Sequence, residues 1–133
     1  MRFIYVIGIL LLLGCGLNDA SSSASVNVLS SEILVDSLDG VYKEWYPGKQ
    51  QIKYLGNLDQ EGKRHGKWSF FLESGLEKSM TTYTHGAREG FSIVKHDNGV
   101  LFYRGEWRKD KKVGIWTTYD AKGAVVSEIN YSK

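Results

Sequence analysis

The residue types that could do chemistry are few in this chain and widely spaced. There is one cysteine, Cys15, and there are three histidines, His65, His85 and His96. Zinc sites legible in a sequence have ligands paired a few residues apart. No pair of these histidines has that spacing, and the three fall at different phases of the repeat described below. They read as polar loop or surface residues, and no metal is expected. Glu73, Glu77 and Glu89 stand in no special context. No glycine-rich phosphate loop occurs and no serine sits in a nucleophile elbow. Serine, histidine and aspartate all occur, but a catalytic triad is a geometry that spacing does not reveal. The expectation is a protein that is not an enzyme and carries no cofactor.

Cys15 is better explained by what precedes it. One basic residue, Arg2, leads into an apolar run from Phe3 to Leu13, then Gly14, then the cysteine. Basic residue, apolar core and small residue is the order of an export signal. The run is about half of the roughly 20 residues a membrane-spanning helix needs. A secretory signal followed by a chance cysteine is the competing reading. The residues Leu12-Leu13-Gly14-Cys15 resemble the lipobox of bacterial lipoproteins. That resemblance implies a lipid on the Cys15 thiol, removal of residues 1–14 and acylation of the new N-terminus. A single acyl chain holds weakly, at about 0.8 kcal/mol per buried methylene, so stable anchoring takes two or more. A triacylated cysteine meets that requirement. Gly16 stands where some lipoproteins carry an inner-membrane retention aspartate, so the resemblance implies the outer membrane, on its periplasmic or surface face.

The elements that would carry such an anchor's cargo follow. Residues 15–30 contain Ser21-Ser22-Ser23-Ala24-Ser25, a composition that behaves as flexible coil and reads as a tether. Residues 31–133 are patterned and large enough for one small domain. The formal charge is +2, and no concentrated basic face argues for nucleic acid. With a single cysteine, no internal disulfide can form.

The pattern is a repeat. Gly66, Gly90 and Gly114 recur every 24 residues, as do Gly75, Gly99 and Gly123, and Tyr83, Trp107 and Tyr131. Trp68 and Trp116 follow the first glycine by two positions, and Phe71 and Tyr119 follow it by five. The unit beginning at Gly90 is degenerate, with Ser92 and Lys95 where aromatics stand elsewhere. A looser unit precedes these at Gly40, Tyr42, Trp45 and Pro47-Gly48. A fixed period in the twenties means stacked supersecondary units. Each unit reads as a β-hairpin. Asn98-Gly99, flanked by apolar runs, predicts a two-residue type I′ turn, with Ser74-Gly75 and Lys122-Gly123 in the same phase. An Asp39-Gly40 turn would let Glu32–Asp36 form a leading strand. Aromatics two and five residues past a glycine face opposite ways in a regular strand, and a β-bulge would return them to one face.

Gly105-Glu106-Trp107, followed by Lys111-Lys112-Val113-Gly114-Ile115-Trp116, resembles a MORN repeat, as does Gly62-Lys63-Arg64-His65-Gly66-Lys67-Trp68. The pattern is similar to the bacterial variant found in the YwqK family of antitoxins, and it covers residues 31–133. The resemblance implies an all-β fold of repeated β-hairpins in a single-layer, curved antiparallel sheet. Its structural positions here are Gly66, Trp68, Gly75, Tyr83, Gly90, Gly99, Gly105, Trp107, Gly114, Trp116, Tyr119, Gly123 and Tyr131. Glu106 lies inside the motif and reads as structural.

Arg104, Arg108, Lys109, Lys111 and Lys112 surround one link between units. Near an anionic membrane each would contribute about 1 kcal/mol, whereas a solvated loop that keeps a sheet edge soluble would need the same residues. Two functional classes follow. One is a lipid-anchored binding or scaffold module facing a protein, glycan or lipid partner in the envelope. The other is an immunity protein that neutralises a toxin there.

Overall fold

A computed structural model describes residues 34–131. The signal, Cys15 and the serine-rich tether lie outside the described residues. Alternating sequence and frequent turns produce nine strands: β1 (Val35–Leu38), β2 (Val41–Trp45), β3 (Ile52–Leu58), β4 (Arg64–Phe71), β5 (Glu77–Thr84), β6 (Ala87–Lys95), β7 (Leu101–Arg108), β8 (Lys111–Tyr119) and β9 (Val125–Asn130). Each pairs antiparallel with the next, so strand order in the sheet equals sequence order. The result is the all-β, single-layer hairpin sheet expected from the repeat. It is open, with β1 and β9 at its edges. The leading strand forms, but as Val35–Leu38 paired with β2, with Leu34 accepting a hydrogen bond from the Trp45 N–H at 2.8 Å.

Turn chemistry differs from the expected pattern. Asn98 has no left-handed φ, and only Gly99 does (φ 85°). His96 N–H donates to the Val100 carbonyl and Gly99 N–H to that of His96. This is a three-residue loop, a turn followed by a left-handed glycine. Gly75 and Gly123 close equivalent loops, at φ 88° and 90°. The two-residue turns with both residues left-handed lie at the other end of the sheet, in the links between units. They are Asp39-Gly40, His85-Gly86 and Lys109-Asp110. The extra residue in the Asn98 loop allows the strand ladder to shift, leaving Phe102 outside the pairing between Lys95↔Leu101 and Val94↔Tyr103. Lys78 and Val126 are bypassed at the same phase.

These bulges do not bring the two aromatics of a unit onto one face. Trp68 and Phe70 share a depression with Arg64 and Tyr83. Phe71 instead lies with Leu55, Lys67 and Ser69. The bulges fall opposite the far end of β4 and around Gly66, so alternation between Trp68 and Phe71 is unbroken and separates them.

A single layer has little interior. Among the described residues only Trp68 and Trp116 are buried hydrophobics, each 6% exposed. Each buries itself against its own sheet. A Cβ on Gly56 would lie 2.3 Å from the Trp68 ring, and one on Gly105 2.1 Å from the Trp116 ring, both closer than atoms can approach. Each indole thus lies flat over a glycine of the preceding strand, where any side chain would displace it. The indole nitrogen completes the unit: Trp68 Nε1 donates to the Asn57 carbonyl at 2.8 Å, and Trp116 Nε1 to the Glu106 carbonyl at 3.2 Å. Glu106 is structural through this carbonyl.

Candidate functional site

Around each tryptophan the sheet gathers further rings and a cation. Trp68 has Tyr42 at 5.1 Å between centroids and Tyr83 edge-on at 6.4 Å. The Arg64 guanidinium lies 4.3 Å above Trp68 and 5.4 Å from Tyr83. Trp116 has Trp107 edge-on at 4.9 Å, Tyr103 at 5.7 Å and Tyr131 at 6.5 Å. Lys112 Nζ lies 4.4 Å from Trp116 and 5.5 Å from Tyr131. Arg88 packs on Trp107 at 3.7 Å and is fixed by its pair with Asp110 at 2.8 Å. Cations within about 6 Å of a ring face are attracted by its quadrupole, by roughly 0.5–1 kcal/mol where exposed.

Arg64, Arg88 and Lys112 therefore form a row at 24-residue spacing on the tryptophan face. Only Lys112 of the three stands out in the sequence, because it belongs to a local run of basic residues. Arg64 and Arg88 carry the same periodic signal that the glycines do, and that signal could have found them. The five-residue basic cluster around the link divides. Lys112 joins the tryptophan face. Arg104 lies in the opposite depression, 6.0 Å from the Tyr119 ring. Arg108 and Lys111 pair across the hairpin end, and the Lys109 N–H donates to Glu89 at 2.7 Å.

The two aromatic clusters are separated by the degenerate unit. At the positions of a glycine and its tryptophan stand Thr81 and Ser92, whose hydroxyls are 2.8 Å apart. Trp68 lies on β4 and Trp116 on β8, four strand spacings or about 19 Å apart. In direct line between them the paired positions are Thr81, Ser92 and Gly105. The opposite face carries a shallow depression of about 590 Å³ lined by Met80, Phe91, Ile93, Arg104, Ile115 and Glu128, among others. Phe91 and Ile115 are exposed there.

The remaining repeat residues divide by task. Gly66, Gly90 and Gly114 lie within β4, β6 and β8 at φ 70°, 96° and 63°, beside the register shifts that precede each tryptophan position. Tyr83, Trp107 and Tyr131 flank the indoles. Tyr119 lies on the opposite face with Arg104.

The histidines do not all behave as isolated surface residues. His65 and His85 have ring centroids 5.0 Å apart. His85 Nδ1 is 2.7 Å from Asp59 Oδ2, and one ligand atom from each of Asp59, His65 and His85 lies within 4.8 Å of the others. Spacing concealed the group because two loops and two strands, β4 and β5, lie between Asp59 and His85. The hydrogen bond with His85, then that from the Lys63 N–H, holds the Asp59 carboxyl below its usual range. His96 stands apart, with Nε2 3.0 Å from the Tyr119 carbonyl and its ring on Phe102.

Of the carboxylates singled out in the sequence, Glu77 and Glu89 are engaged structurally. Glu77 accepts from Ser69 at 2.6 Å and pairs with Lys67 at 3.0 Å. The Ser69 bond first, then Lys67, lowers the Glu77 pKa against the opposing effect of burial.

The fold class is thus an open antiparallel meander of hairpin repeats. Comparison with known protein families, curated proteins and solved structures returns no match for the chain.

Proposed function

We propose that this chain is a non-catalytic binding module, held to the bacterial outer membrane by lipid on Cys15, with the tryptophan face as its contact surface. The observation that supports this most is the row of Arg64, Arg88 and Lys112 stacked on Trp68, Trp107 and Trp116. Interfaces concentrate their binding energy in tryptophan, tyrosine and arginine, and here the exposed cations Arg64 and Lys112 and the half-buried Arg88, Tyr83 and Trp107 are gathered on one face around two indoles that the sheet buries. Rings on both sides of the small Thr81–Ser92 saddle favour an elongated partner lying across the strands. The MORN-like motif of the sequence accords with a role in contact, not turnover.

The test is a pull-down from solubilised envelopes with the wild-type chain and with Arg64→Ser/Lys112→Ser. One stoichiometric partner, recovered by the wild type and lost with the double variant, is the expected result. Equal recovery by both rules out the tryptophan face as the contact surface. A toxin recovered as that partner would place the same surface in an immunity role. The anchor is tested separately: Cys15→Ser should leave the fold intact and release the protein from membranes. Sedimentation of that variant with membranes at high salt would sink the lipid assignment.

A further inference from the structure

At the end of the sheet away from the Asn98 loop, two successive links meet. Asp59 opens the β3–β4 loop, His65 lies at the start of β4, and His85 occupies the left-handed first position of the β5–β6 turn at φ 47°. We propose that Asp59, His65 and His85 form a binding site for one divalent transition-metal ion, with Zn²⁺ the best match to the donor set. Two imidazoles and one carboxylate suit zinc and its neighbours, whereas calcium and magnesium favour all-oxygen sites.

The geometry needs only small adjustment. Metal–ligand bonds of about 2.0–2.2 Å place neighbouring donor atoms about 3–3.5 Å apart. The donor atoms lie within 4.8 Å of one another, and the Asp59–His85 pair already lies at 2.7 Å. The remaining closure is within the rotation of surface imidazoles, the His85 side chain being 68% exposed.

The carboxylate is positioned in advance. Asp59 Oδ1 accepts the Glu61 and Lys63 N–H groups, each at 2.9 Å, leaving Oδ2 directed at His85. Ligating carboxylates are typically oriented by such outer donors. The Lys63 ammonium, the nearest competing cation in the loop, is paired with Glu61. His85 is further placed against His65 by its own N–H, 3.4 Å from His65 Nδ1. A bound ion would tie the β3–β4 loop to the β5–β6 turn, joining two hairpins by side chains up to 26 residues apart. Solvent exposure leaves a coordination position open to water or to a partner's side chain.

The experiment is calorimetric titration of ZnCl₂ into the full chain, purified in detergent without a histidine tag. One ion per chain is expected. His65→Gln, His85→Asn and Asp59→Asn should each weaken binding by about tenfold or more. Asparagine at 85 tolerates the left-handed backbone, and asparagine at 59 retains an oxygen for the two loop N–H groups, so both variants should fold. His96→Asn serves as the control and should bind like the wild type. Zinc X-ray absorption should show two imidazoles and oxygen donors. No saturable binding below about 1 mM, or wild-type affinity in His85→Asn, overturns the site. Equal partner recovery by the wild type and Arg64→Ser/Lys112→Ser, with zinc binding retained, would count against the contact surface alone.

Discussion

The units built on Trp68 and Trp116 and the unit between them solve one problem differently. A single-layer sheet has no second layer to cover its apolar residues, so each indole is buried against the strand that precedes it. That requires a glycine: Gly56 under Trp68 and Gly105 under Trp116. In the central unit Ser92 replaces the tryptophan, and the glycine position is Thr81, hydrogen-bonded to it. Ser92 is 3% exposed and Thr81 half-buried, so the tryptophan position is as enclosed in the central unit as in the outer ones but is held by a polar contact. The contrast shows that glycine and tryptophan form one device. Where the ring is absent, the space beneath it is filled and the pair satisfies itself.

Trp116→Ala should break the C-terminal unit most severely. It removes the ring over Gly105 and uncovers Tyr103, Trp107 and Tyr131, at a cost of about 3–5 kcal/mol. Because repeat energetics are nearest-neighbour, hydrogen exchange should show β7–β9 losing protection before β3–β5. Uniform loss along the chain would contradict the stacked array.

Gly105→Ala tests the other half of the device and should cost about 1–3 kcal/mol, since the added methyl must displace the indole. Urea unfolding reads the loss, and an unchanged midpoint would show that the ring is not held over Gly105. The central unit sharpens this. Ser92→Trp alone should destabilise, and adding Thr81→Gly should recover part of the loss. A double-mutant cycle should give a favourable coupling of about 0.5–3 kcal/mol; zero coupling would mean that the glycine and tryptophan positions are independent.

Thr81→Val should cost about 1–3 kcal/mol, at or below the Gly105 effect, because it leaves the enclosed Ser92 hydroxyl unpaired. If Thr81→Val melts like the wild type, the Thr81–Ser92 bond is not what holds this unit.

The smallest expected effect concerns the loops. Asp59 and Asp120 each accept two backbone N–H groups through Oδ1. His85 is the first cause of the lowered Asp59 pKa, and the Ala124 N–H that of Asp120. A carboxyl whose folded pKa is depressed adds stability above its unfolded pKa, near 3.9, and that stability is lost as pH falls through the folded value. Melting temperature should therefore decline below about pH 4. Asp120→Ala should flatten that decline slightly, and an identical acid profile in this variant would discount the loop carboxylate.

The 24-residue period made the hairpins, their strands and the importance of Trp68 and Trp116 legible, because a repeated unit leaves its spacing in the sequence. The pairing of each tryptophan with its glycine was not legible. Gly56 and Gly105 are out of phase, since the β3–β4 loop between Asp59 and Lys63 is longer than the two-residue Lys109-Asp110 turn. Turn type at Asn98-Gly99 was misread for a related reason: the dipeptide serves a two-residue turn or the end of a three-residue loop, and hydrogen bonding across the strands chooses between them. The Asp59–His65–His85 group was hidden because its members come from a loop, a strand and a turn that only the pairing of strands brings together.

The sequence by itself determined an all-β repeat of antiparallel hairpins, and it carried the Leu12–Cys15 signature on which the proposed anchor rests. Both are local patterns, set by glycine positions, alternation and a short motif. Only the tertiary structure decided which residues share a face, which glycine underlies which indole and where two histidines meet an aspartate. Those relations depend on loop length and bulges, which move the register of one strand against the next. A shift of one residue exchanges the faces of a strand, and one-dimensional spacing does not record it.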